Sequence, residues 1–345
     1  MLIRTTKSEE KKLYNLVVPH PLQSWEWGEF RKTTGVKVDR LGFFDGEKML
    51  KGLQVTFHAL PIPGLNKTVG YLPKGFAPDE DQLSALKQLA LKHNALFIKL
   101  EPNIMQAASL SPRFSQLTKL LIDNGAVKGK PLFTKYTFQL DLAPSEDKLF
   151  ADLRSKTRYN VNLAYRKGVK IFENTTQEGM EQYLQILEET KSRQGFYAHT
   201  PDYFRKMWQT LGDSGMIRIF NAVYEDTIIA SWIMFVFNDI LYYPYGASRS
   251  VHRNVMASNL MMWEMIRFGK ETGCHTFDMW GSLGPDPDKS NPWYGFHKFK
   301  KGYGGELMES VGSYDLVINE PLYKLYRIAE KWRWKWLRLK THLPF

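Results

Sequence analysis

The stretch "ILYYPYGAS" (240–248), followed by "ASNLMMWEMIRFGKETG" (257–273) and "CHTFDMWG" (274–281), decides the fold. Its flanks are rich in β-branched and aromatic residues, whereas Leu260, Trp263 and Ile266 recur at helical spacing. Strand, helix, strand closes by default as a right-handed crossover between parallel strands. An earlier stretch repeats the plan: "TVGYLPKG" (68–75), "DEDQLSALKQLALKHN" (79–94) with Leu83, Leu86 and Leu89 at helical spacing, and "ALFIKLEP" (95–102). An alternating hairpin precedes each unit, turning at Asp45 and Gly46 in the first half and at Glu225 and Asp226 in the second. Two similar α/β halves facing one another are expected.

Between the halves, Pro144 and Ser145 precede acidic first-turn residues and Gly168 follows a basic last turn, which predicts a helix. Arg154 and Arg158, four apart, share a face of it. The segment "FKKGYGG" (299–305) reads as a strand end entering a turn, with Lys301 alternating away from Lys300. The last segment, "PLYKLYRIAEKWRWKWLRLK" (321–340), reads as an amphipathic helix packing back on the first half.

Composition narrows the function. A hydrophobic content of 43% with 24% charged residues is that of a globular chain. Cys274 is the single cysteine, so no intrachain disulfide can form and a reducing compartment fits. The start, "MLIRTTKSEEKKLYNL", has no apolar core of a signal peptide. The longest apolar run, 228–237, is about half of what a membrane-crossing helix needs. A soluble, cytoplasmic protein is expected. The net charge of +11 is concentrated in 151–170 (net +5) and 321–345 (net +6), which points to a polyanionic partner or an anionic membrane surface.

Several chemistries lack their motifs. There is no HxxxH or CxxC, so no metal is expected, and neither a phosphate-binding loop, a dinucleotide fingerprint nor a GxSxG elbow occurs. The turn "YGASRSVHRNVMASNL" (245–260) resembles the place where acetyltransferase folds bind acyl-CoA pyrophosphate. That site needs glycines so that backbone N–H groups can approach phosphate, and here Arg253, Asn254 and Ala257 occupy those places. CoA is not expected as donor, and no other cofactor is indicated.

Taken in order, "QSWEWGEFRK" (23–32), "SKTRYNVNLAYRKGV" (155–169), "GFYAHTPDYFRKMW" (195–208), "YPYGAS" (243–248), "FDMWG" (277–281) and "FKKGYGG" (299–305) resemble the FemABX peptidyltransferase family over nearly the whole chain. The resemblance implies two tandem acetyltransferase-like (GNAT-type) domains around a cleft. The first would span 1–143, completed by the C-terminal helix 317–345, and the second 144–316. It also implies transfer of an amino acid from aminoacyl-tRNA to the stem peptide of a peptidoglycan precursor, UDP-MurNAc-peptide or lipid II. No sustained heptad run is visible, so the chain resembles the compact members without a coiled-coil arm.

The same resemblance implies roles for individual residues. Phe299 and Lys300 match a Phe-Lys pair at the donor's terminal adenosine, with the lysine stabilising the oxyanion or the leaving 3′-oxygen. Glu101, in "KLEP", matches a carboxylate that frees the attacking amine. Arg31 matches a basic position on the acceptor's phosphates and Trp27 walls the pocket. His199 falls near an arginine of some compact members, and Tyr203 and Tyr245 match tyrosines lining the same site. Arg154, Lys156, Arg158, Arg166 and Lys301 are the basic residues expected to meet tRNA. Such a reaction needs positioned reactants and positive charge where negative charge develops.

Two other readings fit parts of the sequence: a tRNA-independent acyltransferase or ligase of the same fold acting on another amine, and a non-catalytic nucleic-acid or membrane-surface module. A monomer is expected. Tryptophans at 332, 334 and 336 among five Lys/Arg groups suggest that the terminal helix meets the anionic inner face of the membrane.

Overall fold

The computed structural model describes residues 2–62, 64–110, 114–195 and 198–341, with side chains to Trp332. It contains two mixed sheets with helices packed on them, the α/β architecture expected. The first sheet has seven strands, in the order Leu2–Thr5, Lys37–Asp45, Lys48–Ala59, Thr68–Pro73, Ala95–Glu101, Tyr314–Val317, Ala126–Lys128. The second has eight, in the order Met105–Ala107, Glu306–Ser310, Tyr136–Asp141, Thr276–Ser282, Ile240–Ser248, Thr227–Phe237, Ile217–Tyr224, Lys170–Glu173.

Each sheet holds one parallel pair, and each pair is joined by the helix that its sequence requires. Helix Glu80–Lys92 starts where the Asp79 carboxylate accepts the Gln82 N–H at 2.9 Å, and it buries Leu83, Leu86 and Leu89. Helix Ala257–Glu271 buries Leu260, Trp263 and Ile266 in the same way. The hairpin turn at Glu225 and Asp226 has both residues at positive φ, the conformation that matches strand twist.

The sheets exchange strands. Met105–Ala107 and Tyr136–Asp141, from the first half of the chain, pair into the second sheet. Tyr314–Val317, from the end of the chain, inserts between Ala95–Glu101 and Ala126–Lys128 of the first. Helix Glu320–Thr341 then lays Tyr323 edge-on to Phe97 at 5.1 Å. The side chains of Trp334 and Trp336 lie outside the described residues. Among the described residues no helix is long and apolar enough to cross a membrane.

Two local readings are corrected. The single helix expected after Pro144 is two, Glu146–Asp152 and Ser155–Arg166. Leu153 and Arg154 are extended at the break, where the Arg154 N–H donates to the Gly302 carbonyl at 3.0 Å instead of continuing the helix. Residues 294–300 form a helix followed by a 3₁₀ turn at Lys301–Tyr303, not a strand end. The turn sits against the second helix: a Cβ on Gly302 would lie 2.4 Å from the Thr157 hydroxyl.

One irregularity positions the site. Ile240–Ser248 and Thr276–Ser282 pair over three residues, Ile240 to Tyr242 against Thr276 to Asp278, and then part. On its other side, Ile240–Ser248 shifts register against Thr227–Phe237 between Ile233 and Phe235. The bulge turns Tyr243 to one face of the sheet, where it stacks on Trp232 at 4.0 Å. Tyr242 and Tyr245 face the other.

Candidate active site

Helix Trp25–Thr33 begins at Ser24, whose hydroxyl accepts the Trp27 N–H at 3.0 Å. It packs on helix Pro201–Leu211, which is capped by Thr200 with Pro201 in the first turn. Together with Ile240–Ser248 these helices gather the five residues expected at the acceptor. Trp27 lies edge-on to Phe30 at 5.1 Å, and Phe30 edge-on to Tyr203 at 4.8 Å. His199 stacks on Tyr203 at 3.8 Å, and Tyr245 meets Phe204 at 5.1 Å. The Arg31 guanidinium stands 5.9 Å from the Tyr203 ring centre, and its Nε is buried with no hydrogen-bond partner. Burial and the Arg31 charge lower the pKa of His199 and bring His58 down to about 4, so both imidazoles are neutral near pH 7.

Lys300 lies on the opposite face of the second sheet, with Tyr243. It is 2% exposed, which excludes a solvated surface lysine. Its Nζ donates to the Gly281 carbonyl at 2.7 Å and stands 3.4 Å from the Trp280 carbonyl. Those carbonyls are available because the strand is irregular here: Trp280 has φ +62°, and the register against Tyr136–Asp141 shifts between Asp278 and Gly281. Burial lowers the lysine pKa to about 7, and the Asp278 charge partly opposes that shift. Asp278 is itself buried and fixed by Thr137 at 2.6 Å and Gln139 at 3.0 Å.

Phe299 is half-buried, edge-on to Tyr303 at 5.3 Å and packed against the core beneath the second sheet. The aromatic surface beside Lys300 comes from Phe296, whose ring lies 4.8 Å from the ammonium, and from exposed Trp293. Phe296 and Lys300 are i and i+4 on a helix, so reading the segment as a strand concealed their contact.

The basic residues divide. Arg154, Lys156, Arg166 and Lys301 are exposed. Tyr159, itself 52% exposed, carries Lys156 at 4.8 Å and Arg166 at 5.9 Å from its ring centre. Arg154 and Lys301 come close enough to His297 for their charges to lower its pKa, after the larger effect of burial. Arg158 is turned inward to the Ala151 and Leu153 carbonyls, where it closes the helix break, so it shares no exposed face with Arg154.

Glu101 ends strand Ala95–Glu101 of the first sheet. Its carboxylate accepts the Tyr71 hydroxyl at 2.6 Å and the Leu132 N–H at 2.7 Å. The Tyr71 pKa is raised first by burial and then by Glu101, while the charge of nearby Arg31 acts against that rise. Sequence reasoning missed Lys74, next to Glu101 in space, and His20, whose buried ring meets Tyr242 at 4.9 Å and Trp280 at 5.6 Å. Among the described residues no group of His, Cys, Asp or Glu could hold a metal ion.

Comparison with known proteins follows the same lines. An acetyltransferase (GNAT) domain model matches residues 151–290. A lipid II:glycine glycyltransferase of Staphylococcus haemolyticus is 24% identical, covering 90% of this chain and 91% of that protein. That alignment runs over 392 positions, longer than this chain, so the relative carries insertions that this chain lacks. The crystal structure of FemX superposes with a TM-score of 0.82 at 21% identity, over 94% of this chain and 99% of that one. A tandem GNAT protein from clavulanic acid biosynthesis superposes with a TM-score of 0.54 at 11% identity, over 91% and 97%. In its paired GNAT-type sheets, these relatives and its own motifs in order, the chain is similar to the FemABX family of acyltransferases.

Proposed function

We propose that the protein transfers an aminoacyl group from aminoacyl-tRNA to an amine on the stem peptide of a peptidoglycan precursor, UDP- or lipid-linked. The observation that carries this reading is the parting of strands Ile240–Ser248 and Thr276–Ser282, with Lys300 on one face of the sheet and Arg31 on the other. Donor and acceptor enter from opposite faces and meet between the strands. The acceptor amine attacks the ester carbonyl, the C–N bond forms, and the ribose 3′-oxygen leaves.

Lys300 suits the leaving step. Two of its three N–H groups are taken up by backbone carbonyls, which leaves one to direct. A pKa near the operating pH allows that N–H to stabilise the oxyanion or to protonate the departing oxygen. On the acceptor side, Arg31 has a buried donor with nothing to bind, as a diphosphate contact requires. Glu101 takes the amine's proton through a lone pair left free by Tyr71 and Leu132. Exposed Arg154, Lys156 and Lys301 beside Lys300 suit a polyanionic donor. The staphylococcal relative's activity as a lipid II:glycine glycyltransferase supports the acceptor class.

The terminal helix brings the enzyme to an anionic membrane surface. Leu325, Ile328 and Trp332 are exposed at helical spacing on it, alongside Lys324 and Lys331.

The test is incubation with charged tRNA and each precursor, reading the acceptor by mass. The expected product is heavier by one aminoacyl residue and is abolished by ribonuclease. A product that forms equally after ribonuclease treatment would leave a tRNA-independent acyltransferase.

A further inference from the structure

A cavity of about 470 Å³ opens where the two sheets meet, bounded by Glu101, Phe133 and the turn that precedes Tyr314. Its volume falls within the roughly 300–1,000 Å³ typical of small-ligand sites. Lys74 lines it and is 9% exposed. The Lys74 ammonium stands 5.5 Å from the ring centre of Phe133, a wall of the cavity, and has no hydrogen-bond or ion-pair partner among the described residues. Its backbone is held in the left-handed region, at φ +51°, by an N–H bond of 2.7 Å to the Glu101 carbonyl. A buried cation without a partner, in a strained conformation, is a feature that a bound anion explains.

The wall charges restrict the anion. The described lining has three lysines, Lys74, Lys128 and Lys135, against Glu101 and Glu309, and Lys135 is already paired with Glu309. Within the lining the excess is one positive charge, and Asp278 stands near Lys74 outside the lining, so the wall suits a single carboxylate and falls short of a diphosphate. The cavity neighbours the Arg31 group: Tyr71 donates to Glu101 and lies near enough to Arg31 to feel its charge, and Glu101 adjoins Lys74.

We propose that this cavity binds the carboxylate-bearing end of the acceptor's peptide, with the carboxylate on Lys74. The inference rests on the acceptor reading given above and extends it to the far end of the ligand. Binding energy gained there holds the peptide so that its side-chain amine reaches the parting strands, a positioning effect remote from the reacting atoms.

The experiment measures calorimetric binding, without donor, of UDP-MurNAc-pentapeptide with a free C-terminal carboxylate and of the same compound as its C-terminal carboxamide. The wild-type protein is expected to bind the carboxylate roughly tenfold to hundredfold more tightly, the range for one charge-assisted contact. Lys74→Met should bind the two forms equally, and Lys74→Arg should keep most of the preference. Wild-type protein that binds both forms with equal affinity, while Arg31→Met still weakens both, overturns the cavity assignment and leaves the acceptor reading standing. Wild-type protein that binds neither form, nor detergent-solubilised lipid II with either C-terminal group, overturns the acceptor reading, and the assignment with it.

Discussion

The Lys300 ammonium donates to the Gly281 carbonyl across 2.7 Å, tying helix Tyr294–Lys300 to the strand at the point where that strand has left its parallel neighbour. The helix therefore delivers a cation to the edge of the opening, not to solvent. Removing it should act on chemistry more than on binding. Lys300→Met is expected to lower kcat by roughly 10²–10³, the usual cost of one preorganised donor at a developing oxyanion. Lys301→Met, which removes an exposed charge, should do much less. Single-turnover transfer rates compare them, and equal rates for wild type and Lys300→Met would sink this role.

The same lysine should shape the pH profile of stability. Its pKa is about 7 in the folded protein against 10.5 for an ordinary lysine. Between those values the unfolded chain binds the extra proton, so unfolding free energy rises with pH. Wild type should gain stability relative to Lys300→Met as pH rises through that window, and lose the gain as pH falls to about 7. Denaturant midpoints of the two proteins across the window check the sign.

Arg31→Met should weaken the acceptor far more than the donor. A lost charge-assisted contact corresponds to a roughly tenfold to hundredfold rise in acceptor KM. Matching rises for both substrates would contradict a separate acceptor pocket on the Arg31 face.

Full-length protein should sediment with anionic vesicles at low ionic strength and not with neutral ones, and salt should release it. Replacing Lys331, Arg333 and Lys335 by Gln should weaken the association. Replacing exposed Leu325 and Ile328 by Ser should weaken it without changing its salt dependence. Wild-type protein that stays in the supernatant with anionic vesicles leaves the helix a packing role alone.

What the sequence made legible was local. Helix Ala257–Glu271 follows from apolar spacing, and its flanking strands from β-branched and aromatic runs. That Trp27, Arg31, His199, Tyr203 and Tyr245 come together was legible because each sits in a motif that keeps its order along the chain. What escaped was set by distant partners. The break at Leu153 and Arg154 depends on a bond to Gly302. The helical form of 294–300 was hidden because Phe296, Lys298 and Lys300 also alternate as a strand would. Lys74 sits in a short strand end with no periodic signal, and its neighbours Phe133 and Asp278 arrive from elsewhere in the sequence.

The exchange of strands between the sheets has a consequence for how the molecule comes apart. A chain cut after residue 143 would keep Ala126–Lys128 but lose Tyr314–Val317, the strand that joins it to Ala95–Glu101. It would also carry Met105–Ala107 and Tyr136–Asp141 without the second sheet that pairs them. Each fragment would expose unpaired backbone along more than one edge, an invitation to aggregate. The two halves are thus obligate partners in folding despite their repeated plan, and the cleft between them is framed by shared backbone in place of a flexible hinge.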